Sequence, residues 1–589
     1  MGLAHMSRGE HARAEKCFLR ASELEPRFAP ALSNLGISQA ELGRYEDAIA
    51  SYRRAIVAKP DYPEAHFNLG NAYFRSGQYR EAASSFEQAL VHRPQFPDAV
   101  RGLAMAHLEA GNATRAAELF QTLLASDPSD LQALSGLGSA EDRLGNHEQA
   151  VELFIKALEL EPSNADAANN LGNAQMNLNR VDEAAELFRQ AIALRPDDAM
   201  LHANYFGLLE RTNKIGELAD ALAAATEACA RGSTLLDYWS GVLADRQGSH
   251  EDAYRILESV VSADLPPKVQ QSLAERLAKL ADRLGDTAAA WAHCHMMNEL
   301  ATTQQLSGVD GSAYIAEVQH LIEAWDRSPP CLDDDAEEGS DLIFMVGFPR
   351  SGTTLLDSVL RGHPLVNIVE EKPLVEQMRA LLDAAATPNV LATLRSEEIA
   401  KLRAAYRSAL AQQEQKPGST VTIDKMPLNL IHAGLIHHVF PGARFLLVLR
   451  HPCDCVLSCL FQNFRLNDSM ANFTTLDGAA RLYDATMRLW LKYEKMLPLR
   501  FSTVRYEDLI ADLEGTAQQM LGELGLPWDD RVLDYQATAR GRSRIRTPSY
   551  SQVTENLYSH ATGRWTRYRE HLSPILPQLE PWTKRWEYS

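Results

Sequence analysis

The chain has 589 residues, 45% hydrophobic and 23% charged, which is an ordinary composition for a soluble protein of several domain-sized units. Its formal net charge of -20 argues against general nucleic-acid binding, which needs a basic face, and leaves room only for local pockets that bind small anions. Seven cysteines form no disulfide framework, and no apolar secretory or membrane-spanning run is present, so the sequence predicts a cytoplasmic protein.

The N-terminal third of the chain repeats itself with a period of 34 residues. Each period carries small residues, then an aromatic residue, then a proline. The aromatic positions are Tyr52, Phe86, Phe120, Phe154 and Phe188, and the prolines are Pro60, Pro94, Pro128, Pro162 and Pro196. Small residues allow paired helices to approach closely, the aromatic residue fills the space between them, and proline ends the second helix. The pattern resembles the tetratricopeptide repeat and predicts five full units at 29–198.

The pattern weakens on both sides of this array. Residues 1–28 match the second half of one more repeat whose first helix is missing, so either the chain starts within a repeat or the natural N-terminus lies upstream of Met1. Residues 199–324 keep the character of helix pairs but lose the consensus. They are predicted to be divergent helical repeats that close the solenoid.

Asparagines recur at the sixth position of several units. They are Asn34, Asn68, Asn170 and Asn204, with glycine in the two units between. A side-chain amide both donates and accepts hydrogen bonds, so a ladder of amides suits an extended peptide. The same arrangement is known from the repeat domain of the O-GlcNAc transferase family, and this resemblance implies a peptide or protein partner in the groove. The alternative is that each asparagine only caps or solvates its helix.

Residues 325–341 contain two prolines and a dense acidic run and are predicted to be an exposed linker. Beyond them, short apolar runs alternate with helical stretches. The runs are Leu342–Val346, Val421–Ile423, Phe445–Leu449 and Phe501–Val504. This alternation predicts an α/β domain at 342–589 with a mainly parallel sheet, whose ligands bind outside the carboxyl ends of the strands.

The first of these runs continues as Gly347-Phe-Pro-Arg350-Ser351-Gly352-Thr353-Thr354 and then as a helix. A glycine-permitted turn at a helix N-terminus presents free N–H groups to an anion. An ATPase P-loop has lysine directly after its second glycine. Here Thr353 occupies that place and Arg350 supplies the cation, so the loop is P-loop-like but disfavours a nucleotide kinase.

Further candidate residues follow other strands. Arg450 ends the run Phe445–Leu449, and Ser458 lies eight residues later, about two turns into the next helix. An arginine fork with a hydroxyl suits a second phosphate, distinct from the group held by the first loop. Tyr506 follows the last run, and Arg564 precedes Trp565 near the C-terminus. Each alone equally fits an ordinary surface or core residue.

Together these motifs resemble the tyrosylprotein sulfotransferases that are fused to repeats in bacteria. The resemblance implies an enzyme that uses 3′-phosphoadenosine 5′-phosphosulfate (PAPS) as co-substrate and no metal. It implies that the loop Arg350–Thr354 binds the 5′-phosphosulfate, that Arg450 and Ser458 bind the 3′-phosphate, and that Tyr506 contacts adenine. A sulfuryl group carries less negative charge than a phosphoryl group, so arginine, lysine and helix N–H donors can replace a metal clamp.

The resemblance also carries over catalytic roles. The second residue of the Glu370-Glu371 pair matches the family's general base, with Glu370 as second choice, and a pair of surface glutamates is the alternative. Lys425 matches the lysine that stabilises the leaving phosphate, with Arg350 beside it. Arg564 stands where the family has lysine, which puts its phosphate contact in doubt.

Gln552 and Val553 match a further segment of the family. The resemblance implies sulfuryl transfer to an acceptor hydroxyl, with a protein tyrosine recruited by the repeat groove as one acceptor. Carbohydrate, lipid or small phenolic acceptors remain open. So does a non-catalytic scaffold in which the repeats bind partners and the C-terminal domain only senses a nucleotide.

Overall fold

The computed structural model describes residues 1–229, 232–303, 309–327, 338–382, 385–413, 416–540 and 562–588. By its internal packing the chain divides into two compact units, Met1–Ile256 and Leu257–Ser589. In those described ranges, no helix has both the length and the apolar character needed to cross a membrane.

The first unit is built from α-helices that pair with their neighbours along the chain. Their bounds are α1 Gly2–Met6, α2 His11–Leu24, α3 Ala29–Glu41, α4 Tyr45–Ala58, α5 Pro63–Arg75, α6 Tyr79–His92, α7 Pro97–Glu109, α8 Ala113–Ser126, α9 Leu131–Leu144, α10 His147–Leu160, α11 Ala165–Asn177, α12 Val181–Leu194, α13 Ala199–Arg211, α14 Ile215–Ala228, α15 Thr234–Arg246 and α16 His250–Ser259. The recurring prolines lie two residues beyond the ends of α4, α6, α8, α10 and α12, as the sequence predicts.

Close glycine–aromatic contacts explain the 34-residue pattern. Phe86 is 1% exposed and lies between Gly70 of its own repeat and Gly102 of the next. A Cβ atom on either glycine would lie 2.7 Å from the phenylalanine ring, which is closer than real Cβ atoms approach. Gly172 meets Phe188 in the same way. The small residues therefore set the helix separation, and the rings fill the seam that this separation leaves.

The half-repeat predicted at 1–28 comprises the short helix α1, which has five residues, and the full-length helix α2. Gly2 of α1 contacts the ring of Phe18 in α2.

Three helices that the sequence assigns to the solenoid belong to the second unit. They are α17 Pro267–Leu284, α18 Thr287–Thr303 and α19 Gly311–Arg327. In α18, Cys294 Sγ and Asn298 Nδ2 donate hydrogen bonds to the carbonyl of Leu460, at 3.2 and 3.0 Å. In α19, the buried ring of Trp325 meets Tyr493 edge to face. The predicted solenoid range 199–324 therefore extends past the division at Ile256, and Trp325, the first residue of the predicted linker, is core.

The sheet of the second unit is five-stranded and parallel, in the order β2-β3-β1-β4-β5. Its strands are β1 Leu342–Gly347, β2 Val366–Glu370, β3 Val421–Lys425, β4 Arg444–Leu449 and β5 Arg500–Arg505. The predicted α/β class and parallel sheet are confirmed. Strand β2 was not predicted, since polar Asn367 interrupts its short apolar run.

Helices cover this sheet. They are α20 Thr353–Gly362, α21 Leu374–Arg379, α22 Pro388–Thr393, α23 Ser396–Ala411, α24 Ala433–Val439, α25 Pro452–Leu460, α26 Leu476–Met496, α27 Tyr506–Ala511, α28 Leu513–Glu523, α29 Tyr535–Arg540, α30 Arg569–Leu572 and α31 Leu576–Arg585. Short 3-10 turns lie at Pro427–His432, Met470–Thr474, Asp530–Leu533 and Arg564–Tyr568.

A buried carboxyl group lies in β3, one residue before Lys425. Asp424 is 2% exposed, and the hydroxyl of Tyr406 donates a 2.9 Å hydrogen bond to its Oδ2. Burial raises the pKa of Asp424 to about 7. The folded state therefore binds this proton more tightly than the unfolded chain, where an aspartate titrates near 3.9. The contribution to stability is largest below about pH 4 and is lost as the pH rises toward 7.

We expect Asp424→Asn to stabilise the protein at pH 8 by roughly 2 kcal/mol, because it removes the buried charge and keeps an acceptor for Tyr406. The gain should shrink as the pH falls toward 4. Calorimetric melting across this pH range measures it, with Asp477→Asn on the exposed start of α26 as control. A gain of the same size at both pH values would contradict the raised pKa.

Candidate functional site

Most of the predicted site residues lie at or directly after the carboxyl ends of the five strands, whereas Ser458 lies in α25 and Arg564 in a C-terminal 3-10 turn. Glu370 and Glu371 end β2, Lys425 ends β3, the loop Phe348–Gly352 follows β1, Arg450 follows β4 and Tyr506 follows β5. Because parallel strands all end at the same edge, segments far apart in sequence line one edge of the sheet.

Glycine is required at two positions of the loop. A Cβ atom on Gly347 would lie 2.5 Å from the carbonyl oxygen of Val448 in the neighbouring strand. Gly352 has φ +104°, and a Cβ there would lie 2.5 Å from the ring of Tyr506. Arg350 also takes a left-handed conformation, with φ +69°. Such backbone strain outside glycine is uncommon and concentrates at binding sites.

The start of α20 closes the loop with small polar side chains. Ser351, Thr353 and Thr354 are all buried. The Oγ of Ser351 has no hydrogen-bond partner among the residues that the structure describes. A buried hydroxyl at a helix N-terminus fits a phosphate or sulfate group, because the backbone N–H groups of the first helical turn favour an anion.

Hydrogen bonds connect Arg350 with both Ser458 and Arg450. Arg350 Nε donates a 3.0 Å hydrogen bond to Ser458 Oγ, and Arg450 Nη1 donates a 3.1 Å hydrogen bond to the carbonyl of Arg350. The guanidinium of Arg450 lies 4.8 Å from the ring centre of Tyr506. Two motifs more than 90 residues apart therefore form a single basic cluster around the loop.

Charge is concentrated in this cluster. Burial, together with the positive charges of Arg450 and Arg564, lowers the pKa of Arg350 to about 10. Burial also opposes the charge of Arg450, but Asp454, Tyr506, Cys455 and Glu507 together outweigh it and raise the pKa of Arg450. Like charges this close repel each other, and an anion bound between them would relieve the repulsion.

The C-terminal motif is attached to the same cluster. The backbone N–H groups of Gly563 and Trp565 donate 2.8 Å hydrogen bonds to the two oxygens of Asp454 in α25. The indole of Trp565 stacks on His451, with ring centres 4.9 Å apart. Arg564 lies between Gly563 and Trp565 in the chain. Its Nε lies 2.9 Å from Asp282 Oδ2, so this carboxylate would compete with the predicted phosphate for the guanidinium. The sequence match at Gln552 and Val553 lies outside the described residues.

A second cluster surrounds Lys425, which is fully buried. Its Nζ lies 3.0 Å from Glu370, 3.3 Å from Glu371 and 3.7 Å from Asp357. The third carboxylate was missed by the sequence analysis. This carboxylate, Asp357, could have been noticed in the sequence, because it is an acidic residue in the otherwise apolar stretch that follows Thr354, one turn into α20.

The two glutamates differ in exposure and backbone. The side chain of Glu370 is 8% exposed and that of Glu371 is 26% exposed. Glu371 has φ +47°, and its N–H donates a 2.8 Å hydrogen bond to the carbonyl of Lys425. Burial raises the pKa of Glu371, with Lys425 opposing the shift and Glu370 adding to it. Glu371 is therefore more exposed to solvent than Glu370. Its raised pKa also makes it a stronger base than an ordinary glutamate.

The four asparagines predicted to bind a peptide, Asn34, Asn68, Asn170 and Asn204, fall into two groups. All four are half-buried. The amide of Asn204 donates a 2.8 Å hydrogen bond to Asn169, which in turn donates to Asn170 at 3.5 Å. The side chains of Asn34 and Asn68 make no hydrogen bond to other described residues. Two of the predicted amides are thus held within the protein and two are not.

Comparison with known proteins gives the same division of the chain. A sulfotransferase family model matches residues 341–530, and tetratricopeptide-repeat models match residues 39–77, 67–130 and 135–199. A protein of Aquifex aeolicus labelled uncharacterized is 25% identical over 57% of this chain and 45% of its own length. Protein-tyrosine sulfotransferase 2 of Gallus gallus is 24% identical over 40% of this chain and 68% of its own length.

A solved tetratricopeptide repeat protein from Parabacteroides merdae aligns with 43% of this chain and 98% of its own, at 21% identity and a TM-score of 0.38. The chain thus spans less than half of the Aquifex relative and about two thirds of the Gallus gallus relative.

We expect Gly352→Ala to lower the free energy of unfolding by about 1–3 kcal/mol, since its φ suits only glycine and Tyr506 fills the space for a side chain. Thermal melting measures the effect. Gly522→Ala is the matched control: Gly522 lies in α28 with no described atom within 4 Å of a Cβ, and we expect stabilisation by about 0.5–1 kcal/mol. Equal effects of the two changes would contradict the assigned loop geometry.

Proposed function

We propose that this chain, which combines tetratricopeptide repeats with a sulfotransferase-family domain, transfers a sulfuryl group from PAPS to an acceptor hydroxyl. The observation that carries the proposal is the meeting of Arg350, Ser458 and Arg450 at the ends of β1 and β4. A buried basic site of this kind suits a ligand with two anionic groups.

The donor fits the residues of the cluster. The loop from Arg350 to Thr354 offers one guanidinium, helix N–H groups and the buried Oγ of Ser351 to the 5′-phosphosulfate. Arg450 and Ser458 offer a guanidinium and a hydroxyl to the 3′-phosphate, and Tyr506 offers a ring face to adenine. The 3′-phosphate is absent from ATP, so this second subsite would discriminate between the two nucleotides.

In the reaction, the acceptor oxygen attacks sulfur and the bond from sulfur to the bridging oxygen breaks. Adenosine 3′,5′-bisphosphate leaves with the bridging oxygen and its charge, which Lys425 and Arg350 stabilise. Glu371 accepts the proton of the acceptor hydroxyl as negative charge develops on it. Glu370 accepts a 3.0 Å hydrogen bond from the ammonium group of Lys425 and holds it beside the base, and Asp357 adds negative charge 3.7 Å away.

The experiment is transfer of label from PAPS to a peptide array. We expect Glu371→Gln to reduce turnover by a factor of about 10²–10⁴, because it removes the proton acceptor, and to leave the affinity for adenosine 3′,5′-bisphosphate within about twofold. The raised pKa of Glu371 predicts that activity rises with pH through a value above 4.5, and that the variant loses this rise.

Glu370→Gln is the matched control, and we expect a smaller loss of turnover from it. Label that stays on free sulfate or PAPS in the wild type would overturn the proposed activity. Equal loss of turnover and of bisphosphate binding in Glu371→Gln would overturn only the role of the base.

For the acceptor, we propose a protein or peptide tyrosine recruited by the repeat groove. The support is the half-buried amides of Asn34 and Asn68, which can both donate to and accept from a peptide backbone. The relative from Gallus gallus is named as a protein-tyrosine sulfotransferase, which favours the same acceptor.

The double change Asn34→Ala and Asn68→Ala should raise the KM for a long peptide acceptor by about thirtyfold, since each of the two lost hydrogen bonds contributes about 1 kcal/mol. The KM for a small phenol should stay unchanged. The matched control is Asn170→Ala with Asn204→Ala, whose amides already bond within the protein, and we expect a smaller rise. Label found on carbohydrate or lipid rather than on peptide would reject this acceptor and leave the donor proposal intact.

A further inference from the structure

A carboxylate of α17 holds three side chains of the C-terminal motif. Asp282 Oδ2 lies 2.9 Å from Arg564 Nε, and its Oδ1 accepts a 2.7 Å hydrogen bond from the hydroxyl of Tyr568. Arg567 Nη2 lies 3.0 Å from the same Oδ1. This helix ends at Leu284, well before the range 341–530 that the sulfotransferase family model matches.

The ion pair between Asp282 and Arg564 is largely enclosed. Their side chains are 16% and 17% exposed. The guanidinium of Arg564 lies 4.4 Å from the ring centre of Phe461 and 5.7 Å from that of Tyr568. The carboxylate of Asp282 and the rings of Phe461 and Tyr568 together restrict where the guanidinium of Arg564 can lie.

Arg564 is also placed next to the basic cluster. Its backbone neighbours Gly563 and Trp565 bond to Asp454 of the helix that carries Ser458. Its positive charge contributes to the lowered pKa of Arg350. One aspartate thus fixes the backbone on either side of Arg564, and another fixes its side chain, so that a third guanidinium stands beside Arg350 and Arg450.

We propose that Asp282 is a positioning residue for the nucleotide: it orients Arg564 toward the anion that Arg350 and Arg450 bind. The donor site of this chain then includes a helix that precedes the sulfotransferase-family domain. The inference rests on the proposed function, because it takes the bound anion to be the donor nucleotide.

The alternative role of Asp282 is purely structural, as an anchor for the C-terminal segment. Arg567 separates the two roles. It shares the same carboxylate and also donates a 3.1 Å hydrogen bond to the carbonyl of Asp282, but its side chain is 41% exposed. A structural anchor would need Arg567 as much as Arg564, whereas a positioning residue would need only Arg564.

The test is calorimetric titration of the full chain with adenosine 3′,5′-bisphosphate. We expect Asp282→Asn to weaken its binding about tenfold, the effect of losing one well-oriented charged contact. The KM for PAPS should rise by a similar factor, while kcat at saturating PAPS stays within about threefold. Arg564→Gln should weaken binding equally, and the double variant should bind no more weakly than either single variant, because the two residues act as one unit.

Arg567→Gln and Asp286→Asn are the controls, the latter at the N-terminus of the next helix, and both should bind like the wild type. Two results would overturn the inference alone: unchanged binding in Asp282→Asn, or equal losses of binding in Asp282→Asn and Arg567→Gln. Should Asp282→Asn fail to fold, Asp282→Glu keeps the charge and displaces the carboxylate, and unchanged binding in it overturns the inference. A wild type that does not bind the bisphosphate overturns the proposed function as well.

Discussion

The second unit depends on one electrostatic constraint, which is the placement of the guanidinium groups of Arg350 and Arg450 at a single loop. Arg350 and Arg450 come from adjacent strands, and the hydrogen bond from one to the carbonyl of the other holds them together against their repulsion. Asp282 supplies compensating negative charge to Arg564, and Asp454 does so to Arg450. The proposed donor would supply further negative charge at the loop.

The carboxylate cluster around Lys425 has the opposite balance. Three acidic groups face one ammonium and the guanidinium of Arg361, which pairs with Asp357, so acidic groups outnumber basic ones there. The two clusters occupy neighbouring parts of the same sheet edge. A group-transfer site needs this asymmetry. Positive charge must meet the leaving group, and a proton acceptor must meet the incoming hydroxyl.

Much of this arrangement could be predicted from the sequence. The alternation of strands and helices sufficed for the fold class, and it placed the predicted anion-binding loop between Gly347 and Thr354 at the edge where the other candidate residues lie. This is because parallel strands necessarily bring their carboxyl ends together. The 34-residue repeat was equally readable, since its small and aromatic residues recur in a fixed phase.

The remainder depends on contacts between distant segments. Helices α17 to α19 have the same amphipathic period as the repeats, and only their packing, as at Trp325, assigns them to the second unit. Asp282 carries no local signal because its partner Tyr568 lies 286 residues away. Asp357 was hidden for a different reason: its local partner Arg361 makes an ordinary helical ion pair, and its approach to Lys425 arises only when β3 is placed beside α20 in the folded sheet.

The ring of Phe86 has a consequence for how the first unit comes apart. Since the ring touches glycines of two successive repeats, removing it weakens two repeats together. Mechanical or thermal unfolding should therefore proceed along the repeats from one end of the array, and single repeats should not unfold independently.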